Sequence, residues 1–206
     1  MTSGRVPGSI PLENPRGRAR VQVRRMRVPD MSASLKPLTV DEFLAWERTQ
    51  PLRYEFDGIQ PVAMTGGSRQ HSRIQTRLVL ALGPRVSPPC EVHGSELKVV
   101  TPAKVRYPDA SVICDDGTSD SDTINPTVVF EVLSPSTALT DRRVKPFDYA
   151  SVPSIQAYVI LDCDEPLATV MRRTAGWEPE TIAGLDAEIP LPEIGVSLPL
   201  SAIHTR

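Results

Sequence analysis

Two carboxylates in this sequence fall within or beside stretches that otherwise read as buried strands. Glu131 lies inside the apolar run VVFEVL, and Asp109 follows Pro108 at the start of DASVIC. Removing an isolated carboxylate from water is costly unless a cation, a metal ion or a proton compensates its charge. Both acids therefore need a chemical explanation.

The spacing of these acids suggests a metal site. They are most simply placed on neighbouring strands, and paired carboxylates on adjacent strands suit a hard cation such as Mg²⁺ or Mn²⁺. We expect Asp109, Glu131 and the main-chain carbonyl of Val132 to be its protein ligands. Such an ion activates water and neutralises charge on a phosphodiester. Two alternatives stay open: Asp109 is a strand-end aspartate that binds backbone amides, and Glu131 is a protonated acid in the core.

Local signals define the elements ahead of these acids. Thr39 and Glu42 form a capping box, which predicts a short helix over residues 39–48. The dipeptide Asp57-Gly58 between two extended segments predicts a β-hairpin with Asp57 in its turn.

A longer helix is predicted for SRQHSRIQTRLVLALGPR. Ile74, Leu78 and Leu82 recur on one face of it, and arginines recur every four residues on another, at Arg69, Arg73 and Arg77. The arginine stripe could contact nucleic acid, although a solvated polar face explains it equally well.

The remaining segments predict a mixed sheet. Residues 91–100, 105–114 and 127–133 are rich in β-branched side chains, and a mixed stretch follows them from Asp141 to Tyr149. AYVILDC, LATVMRR and WEPETI read as three further strands, with a last turn at LPLSAIH. The fold class is therefore α/β or α+β, with a mixed β-sheet flanked by helices.

Charge divides the chain into two parts. The first 30 residues carry seven arginines against two acids, whereas the rest has 16 basic and 23 acidic residues. We expect residues 1–34 to be a disordered basic extension and residues 35–206 to be the folded domain.

The composition also predicts the compartment. No apolar run is long enough for a membrane span, so we expect a cytoplasmic protein without membrane contact. Cys90, Cys114 and Cys163 include no CxxC pair and are expected to be small buried thiols in a reducing compartment.

Several short motifs occur together in a characteristic order. In chain order they are RYEFDG, His71 on the following helix, YPDASV, FEVLSPST, and the series Asp141, Lys145 and Tyr149. In these motifs the sequence resembles the Uma-two family of restriction endonuclease-like proteins, within the PD-(D/E)XK nuclease superfamily. The resemblance covers roughly residues 36–204.

The resemblance implies a restriction-endonuclease-like core in which Asp109 and Glu131 occupy the metal-binding positions. It also exposes a departure, because the usual lysine two residues after the second acid is Leu133 here. Lys145 is the candidate for a migrated lysine, and its ammonium should then lie within about 6 Å of the Glu131 carboxylate. Lys98 is the second candidate. The alternative is that Lys98 is a solvated lysine on an edge strand, without a catalytic role. Pro146 argues against an uninterrupted helix at Lys145.

Three other polar residues, Glu55, His71 and Asp141, also have predicted roles. Glu55 matches the first family motif and either joins the catalytic group or forms an ion pair with Arg53 or Arg73. His71 is expected to be a satisfied structural histidine. Asp141 is expected to cap the element that follows it.

These inferences lead to one principal function and one alternative. The principal prediction is a Mg²⁺- or Mn²⁺-dependent endonuclease that hydrolyses DNA, with Asp109, Glu131, Lys145 and Glu55 as its catalytic residues. The alternative is a nuclease-fold protein with weak or no catalysis that binds nucleic acid or another protein. We expect a homodimer, in which the Asp57-Gly58 hairpin or the C-terminal strands are candidate contact surfaces.

Overall fold

Short helices alternate with strands along the part of the chain that the structure describes. The structure is a computed structural model and describes residues 38–64, 66–115, 121–134 and 138–204. The helices are α1 (Val40–Glu47), α2 (Arg69–Leu82), α3 (Ala138–Arg143), α4 (Lys145–Ala150) and α5 (Leu200–His204). The predicted basic extension, residues 1–34, lies outside the described residues and stays a prediction.

The strands of the described residues form three sheets. In chain order they are β1 (Tyr54–Phe56), β2 (Pro61–Ala63), β3 (Cys90–Gly94), β4 (Val99–Val100), β5 (Val105–Arg106), β6 (Ala110–Cys114), β7 (Val128–Val132), β8 (Ala157–Leu161), β9 (Leu167–Arg172), β10 (Pro179–Ala183), β11 (Glu188–Leu191) and β12 (Val196–Pro199).

The largest sheet has six strands in the order β10-β9-β8-β7-β6-β3. Only β7 and β8 run parallel, and the other neighbouring pairs within it are antiparallel. All five residues of β7 and all five of β8 are buried, as expected for central strands covered on both faces. The predicted mixed sheet is confirmed.

Helices cover both faces of this sheet. On one face α2 and α5 pack against alternate residues of the central strands, including Val112 and Phe130. On the other face Tyr149 of α4 packs against Val129 and Tyr158. The parallel pairing of β7 with β8 requires a crossover connection, and α3 and α4 lie within it. This crossover carries Lys145 across the sheet.

A smaller sheet, ordered β2-β1-β5-β4, packs under α1. Phe43, Phe56, Val105 and Tyr107 form its core. Thr39 and Glu42 form the predicted capping box at the start of α1. The predicted hairpin is also present, since Asp57 Oδ1 accepts the amide N–H groups of residues 59 and 60.

Other elements differ from the prediction. The segments 91–100 and 105–114 each divide into two strands that belong to different sheets. The predicted last turn at 198–204 is the end of β12 followed by α5, and the β11–β12 hairpin was missed. Local alternation indicates strand propensity but does not show where a strand leaves one sheet for another.

The cysteine prediction is wrong for two of the three residues. Cys90 on β3 and Cys114 on β6 lie directly opposite each other and form a disulfide, whereas Cys163 is free. The 24-residue sequence separation did not reveal this cross-strand pairing. Among the described residues, no helix is both long enough and apolar enough to cross a membrane.

Candidate active site

Asp109 and Glu131 meet at one end of the large sheet. Ala110 pairs with Phe130 in the antiparallel β6–β7 register, so Asp109, one residue earlier, lies opposite Glu131. Directly opposed residues in such a pair have Cβ atoms about 5 Å apart. The prediction that the two acids lie on neighbouring strands is confirmed.

Asp109 is held by the next strand and by α2. Its Oδ2 accepts the main-chain N–H of Val132 at 2.7 Å and lies 3.2 Å from His71 Nε2. Gln75 donates from its side-chain amide to the Asp109 carbonyl at 2.9 Å. The hydrogen bond from the Val132 N–H matches the alternative in which Asp109 is a strand-end aspartate that binds backbone amides. The carboxylate nevertheless stays partly exposed at the sheet end.

His71 and Gln75 reach Asp109 because they lie one turn apart on α2. Ser68 caps the helix by accepting the His71 N–H, and Ile74 and Leu78 hold the helix against the sheet. The hydrogen bond to Asp109 raises the pKa of His71 above its usual value, against the opposing effect of burial. His71 is thus satisfied, as expected, but by a candidate metal ligand. Sequence reasoning missed Gln75, although its i, i+4 spacing from His71 was a usable signal.

Glu131 is buried and meets a cation and a hydroxyl. Lys145 Nζ and Tyr149 Oη each lie 2.7 Å from its Oε1. The predicted proximity of Lys145 to Glu131 is confirmed. α3 ends at Arg143 and α4 begins at Lys145, directly before Pro146. The predicted interruption of the helix is therefore also confirmed.

Lys145 is shared among three carboxyl groups. Its ammonium lies 2.7 Å from Glu131, 3.1 Å from Asp141 and 3.5 Å from Glu55. Burial alone would lower the pKa of Lys145, but these carboxylates together raise it above its usual value. Burial raises the pKa of Glu131 well above its usual value, although the Lys145 charge opposes this shift. Lys145 is therefore a charged lysine in a buried acidic site.

Asp141 is buried and lies within a helix, beside Lys145. Its side chain is 1% exposed, and its Oδ1 forms the 3.1 Å ion pair with Lys145. It lies inside α3, and the N-cap of α4 is Val144 without a side-chain cap. The capping prediction is wrong, because the side chain faces Lys145 one turn later.

Glu55 joins the same site from the small sheet. It accepts the main-chain N–H of Tyr107 at 3.2 Å and a guanidinium N–H of Arg106 at 3.0 Å. The expected ion pair is present, but its partner is Arg106, and Arg53 pairs with Glu96 instead. Because Arg106 lies on β5, only the strand pairing in the small sheet brings it to Glu55.

Arg106 extends the site to a second acid. It donates to Asp148 Oδ2 from Nε at 3.0 Å and from Nη2 at 2.8 Å, and Lys104 donates to Asp148 Oδ1 at 2.7 Å. Four carboxyl groups and three cations are therefore connected: Glu55, Glu131, Asp141 and Asp148 with Lys104, Arg106 and Lys145. When all are ionised, this network has one uncompensated negative charge, and Asp109 adds another while its partner His71 is neutral.

Lys98 lies in a different cluster. Its Nζ donates to Glu47 at 2.8 Å, lies 3.0 Å from Asp122 Oδ2 and sits 5.6 Å from the ring centre of Tyr107. Tyr107 Oη also donates to Glu47. The interpretation as a solvated edge-strand lysine is wrong, because the Lys98 side chain is 5% exposed.

The donor chemistry of the site fits a small hard cation. Within the described residues, no three His, Cys, Asp or Glu side chains are arranged as a metal centre. Mg²⁺ does not need such a set, since one or two carboxylates with waters and substrate oxygens suffice. Asp109 and Glu131 supply two carboxylates at one sheet end, and the surplus negative charge of the network favours a cation there.

Comparison with solved structures reveals a shared fold. A solved structure described as "a putative nuclease belonging to DUF820" from Anabaena variabilis superposes with a TM-score of 0.65 over 81% of this chain and 97% of that chain. The two sequences are 23% identical, so this likeness establishes the shared fold.

Sequence comparison then identifies the family. Residues 40–201 match the profile of the Uma2 family, described as "Putative restriction endonuclease", and the chain belongs to this family. The chain is also similar to two proteins of Synechocystis sp. "Uncharacterized protein slr1290" is 38% identical over 135 residues, covering 63% of this chain and 71% of that protein. "Uncharacterized protein sll1609" is 29% identical over 140 residues, covering 63% and 77%. The resemblance inferred from the motifs is thus confirmed.

Proposed function

We propose that this protein is a metal-dependent endonuclease that hydrolyses phosphodiester bonds in DNA, with Mg²⁺ or Mn²⁺ as its ion. The observation that carries the proposal is that Lys145 Nζ lies 2.7 Å from Glu131, and that Glu131 lies opposite Asp109 on the neighbouring strand. A lysine beside one of two opposed acids at a sheet end can stabilise charge on a phosphodiester, and the family supports the substrate class.

The ligands in this proposal are the Asp109 and Glu131 carboxylates and the Val132 carbonyl. When bound, the ion would polarise the phosphodiester and lower the pKa of a water molecule. Both hydrogen bonds to the Glu131 carboxylate from described residues fall on Oε1. Oε2 is therefore the oxygen that we assign to the ion.

Lys145 and Glu55 have the remaining catalytic roles. The Lys145 ammonium supplies a fixed positive charge that stabilises negative charge developing on the phosphate or orients the attacking water. Glu55 helps to keep that lysine charged and in place, because its own carboxylate is fixed by Arg106 and by the Tyr107 N–H. Tyr149 fixes the Glu131 carboxylate from the same side as Lys145.

A second function is supported by other features of the same residues. The Val132 N–H occupies Asp109 Oδ2, and burial raises the pKa of Glu131, which favours a neutral acid without an ion. These features fit a nuclease-fold protein that binds nucleic acid or protein without efficient cleavage. Metal binding distinguishes the two functions.

The test combines calorimetry with cleavage of plasmid DNA. Wild type should bind Mg²⁺ or Mn²⁺ and cleave, whereas Asp109→Asn should lose both properties while remaining folded by circular dichroism. Asp186→Asn is the control, because Asp186 is exposed in the loop between β10 and β11. If wild type binds neither ion, or Asp109→Asn binds as well as wild type, the metal site is wrong and the binding function becomes the better one.

Assembly and compartment complete the proposal. We expect a homodimer, since closed twofold association is the commonest form of homo-oligomer and would let two sites act on the two strands of DNA. The cytoplasm remains the proposed compartment, although the Cys90–Cys114 disulfide removes the support that the cysteines offered.

A further inference from the structure

An apolar groove lies beside the acidic site, on the outer side of α4. Its volume is about 740 Å³. Ile160, Thr169 and Met171, from β8 and β9, form its floor, and Phe147 and Trp177 are among its walls. The floor residues lie on the sheet face that α3 and α4 cover elsewhere, so the groove is the part of this face that these helices leave open.

Phe147 is the most exposed large apolar side chain of the described residues. It is 77% exposed, whereas its neighbours Lys145 and Tyr149 on α4 are buried against Glu131. Large aromatic side chains on a groove edge are typical anchors of protein interfaces. The position of Phe147 therefore indicates a protein partner.

Trp177 forms the facing wall through an unusual backbone conformation. Its φ is +65°, in the left-handed region that large L residues rarely adopt. The Arg173 guanidinium lies 5.2 Å from its ring centre and fixes the indole. Strained residues of this kind cluster at functional surfaces, because surrounding contacts must hold them.

The charges at the groove suit a second copy of the same chain. Arg142 and Glu178 both line it and both are exposed. Within the described residues, neither makes an ion pair. In a closed twofold interface each surface meets its own copy, so Arg142 of one subunit can face Glu178 of the other in both directions. This self-complementary pairing is the reason for choosing a second copy over an unrelated partner.

The nearby edge strand argues for side-chain packing and against strand addition. β10 ends the six-stranded sheet, but Pro179 at its start has no N–H to donate, and Glu180 is paired with Arg172. Proline and charge are common protections of an edge strand. The groove beside β10 is thus the better contact surface.

We propose that the groove between α4 and β9–β10 is the homodimer interface, with Phe147 as its apolar anchor and Arg142–Glu178 as its reciprocal ion pairs. This inference rests on the homodimer of the proposed function but not on its nuclease chemistry. The surface differs from both surfaces considered from the sequence alone, the Asp57-Gly58 hairpin and the C-terminal strands.

The first experiment measures molar mass by light scattering and sedimentation at tens of micromolar protein, without metal or DNA. Wild type should be a dimer, and Phe147→Glu should raise the dimer dissociation constant at least about 30-fold. Leu80→Glu is the matched control, because Leu80 is 69% exposed on α2 and does not line the groove. The control should dimerise like wild type.

A charge exchange provides the second, more specific experiment. Arg142→Glu and Glu178→Arg should each weaken the dimer about 10-fold through like charges, and the double variant should return close to wild type. Arg143→Glu, an exposed neighbour outside the groove, should have little effect. A wild-type monomer overturns both the homodimer and this interface. A wild-type dimer that Phe147→Glu leaves intact, or singles that the double does not rescue, overturns the interface alone.

Discussion

Replacement of Lys145 by methionine tests the central arrangement of the site. Methionine keeps much of the volume of the lysine but removes its charge, leaving Glu131, Asp141 and Glu55 without the ammonium that lies 2.7, 3.1 and 3.5 Å from them. Removing one partner of a buried ion pair costs about 3–5 kcal/mol, because the other charge stays buried and uncompensated.

The upper part of that range is expected here. The Lys145, Glu131 and Asp141 side chains are at most 6% exposed, so water screens none of them appreciably. Two buried carboxylates, Glu131 and Asp141, lose their cation, whereas Glu55 keeps Arg106. We therefore expect Lys145→Met to lower the free energy of unfolding by about 4–5 kcal/mol near pH 8. Domains of this size have only about 5–15 kcal/mol in total, so the variant should lose a large fraction of its stability.

The loss should depend on pH in a defined direction. Burial raises the pKa of Glu131 above the ordinary 4.5, and Lys145 opposes that rise, so its removal raises the pKa further. A carboxyl group with a raised folded pKa contributes stability that is complete below 4.5 and is lost as pH rises through the folded value. The deficit of Lys145→Met relative to wild type should therefore be smaller at about pH 5 than at about pH 8.

Urea unfolding at the two pH values measures both quantities, with Lys104→Met as the control. Lys104 is 23% exposed, and its partner Asp148 retains Arg106, so the control should lose no more than about 1 kcal/mol. Adding Glu131→Gln to Lys145→Met should recover part of the loss, which a double-mutant cycle reports as coupling. A loss below about 1 kcal/mol, or one equal at both pH values, would refute the buried charge network.

Two further predictions concern residues around this network. In metal-free protein the hydrogen bond to Asp109 raises the pKa of His71 above 6.5, so the stability from this pair is complete below pH 6.5 and declines as pH rises through the raised value. His71→Gln should remove that decline in urea unfolding from about pH 5 to about pH 9, and an unchanged profile would contradict the assignment. Lys98→Met should cost about 3 kcal/mol, since it leaves Glu47 buried without its cation, while the folded variant keeps wild-type cleavage. Asp122→Asn, at a 61% exposed partner, is the mild control, and a folded Lys98→Met without cleavage would transfer the catalytic role to Lys98.

Local chemistry accounts for what could be predicted from the sequence. The α1 cap depends on Thr39 and Glu42, three residues apart, and the hairpin turn depends on Asp57 and Gly58, which are adjacent. Interactions between residues this close in sequence can be predicted from a short stretch of it. Asp109 and Glu131 were also found, because a carboxylate within or beside an apolar strand is costly enough to be conspicuous.

Cross-strand partners could not be predicted in the same way. Cys90 meets Cys114, and Arg106 meets Glu55, only because separate strands align in one register, and Asp148 reaches Arg106 from α4. Nothing within ten residues of any of these side chains indicates its partner. Register is set by the burial of whole strand faces, so it follows from the assembled sheet and not from a motif.

The position of Leu133 shows how the site can hold a lysine without the usual motif. Successive strand side chains alternate between faces, so residue 133 faces the same side as Glu131. On that face, Leu133 packs into the apolar cluster with Ile113 and Tyr149. A charged side chain there would need a partner within that cluster. Lys145 avoids this cost because α4 crosses the same sheet face and brings the Lys145 ammonium to Glu131 Oε1. Asp141, four residues earlier, also compensates the charge of this ammonium. The lysine is therefore supplied by α4 and not by β7, but its charge still lies beside the Glu131 carboxylate.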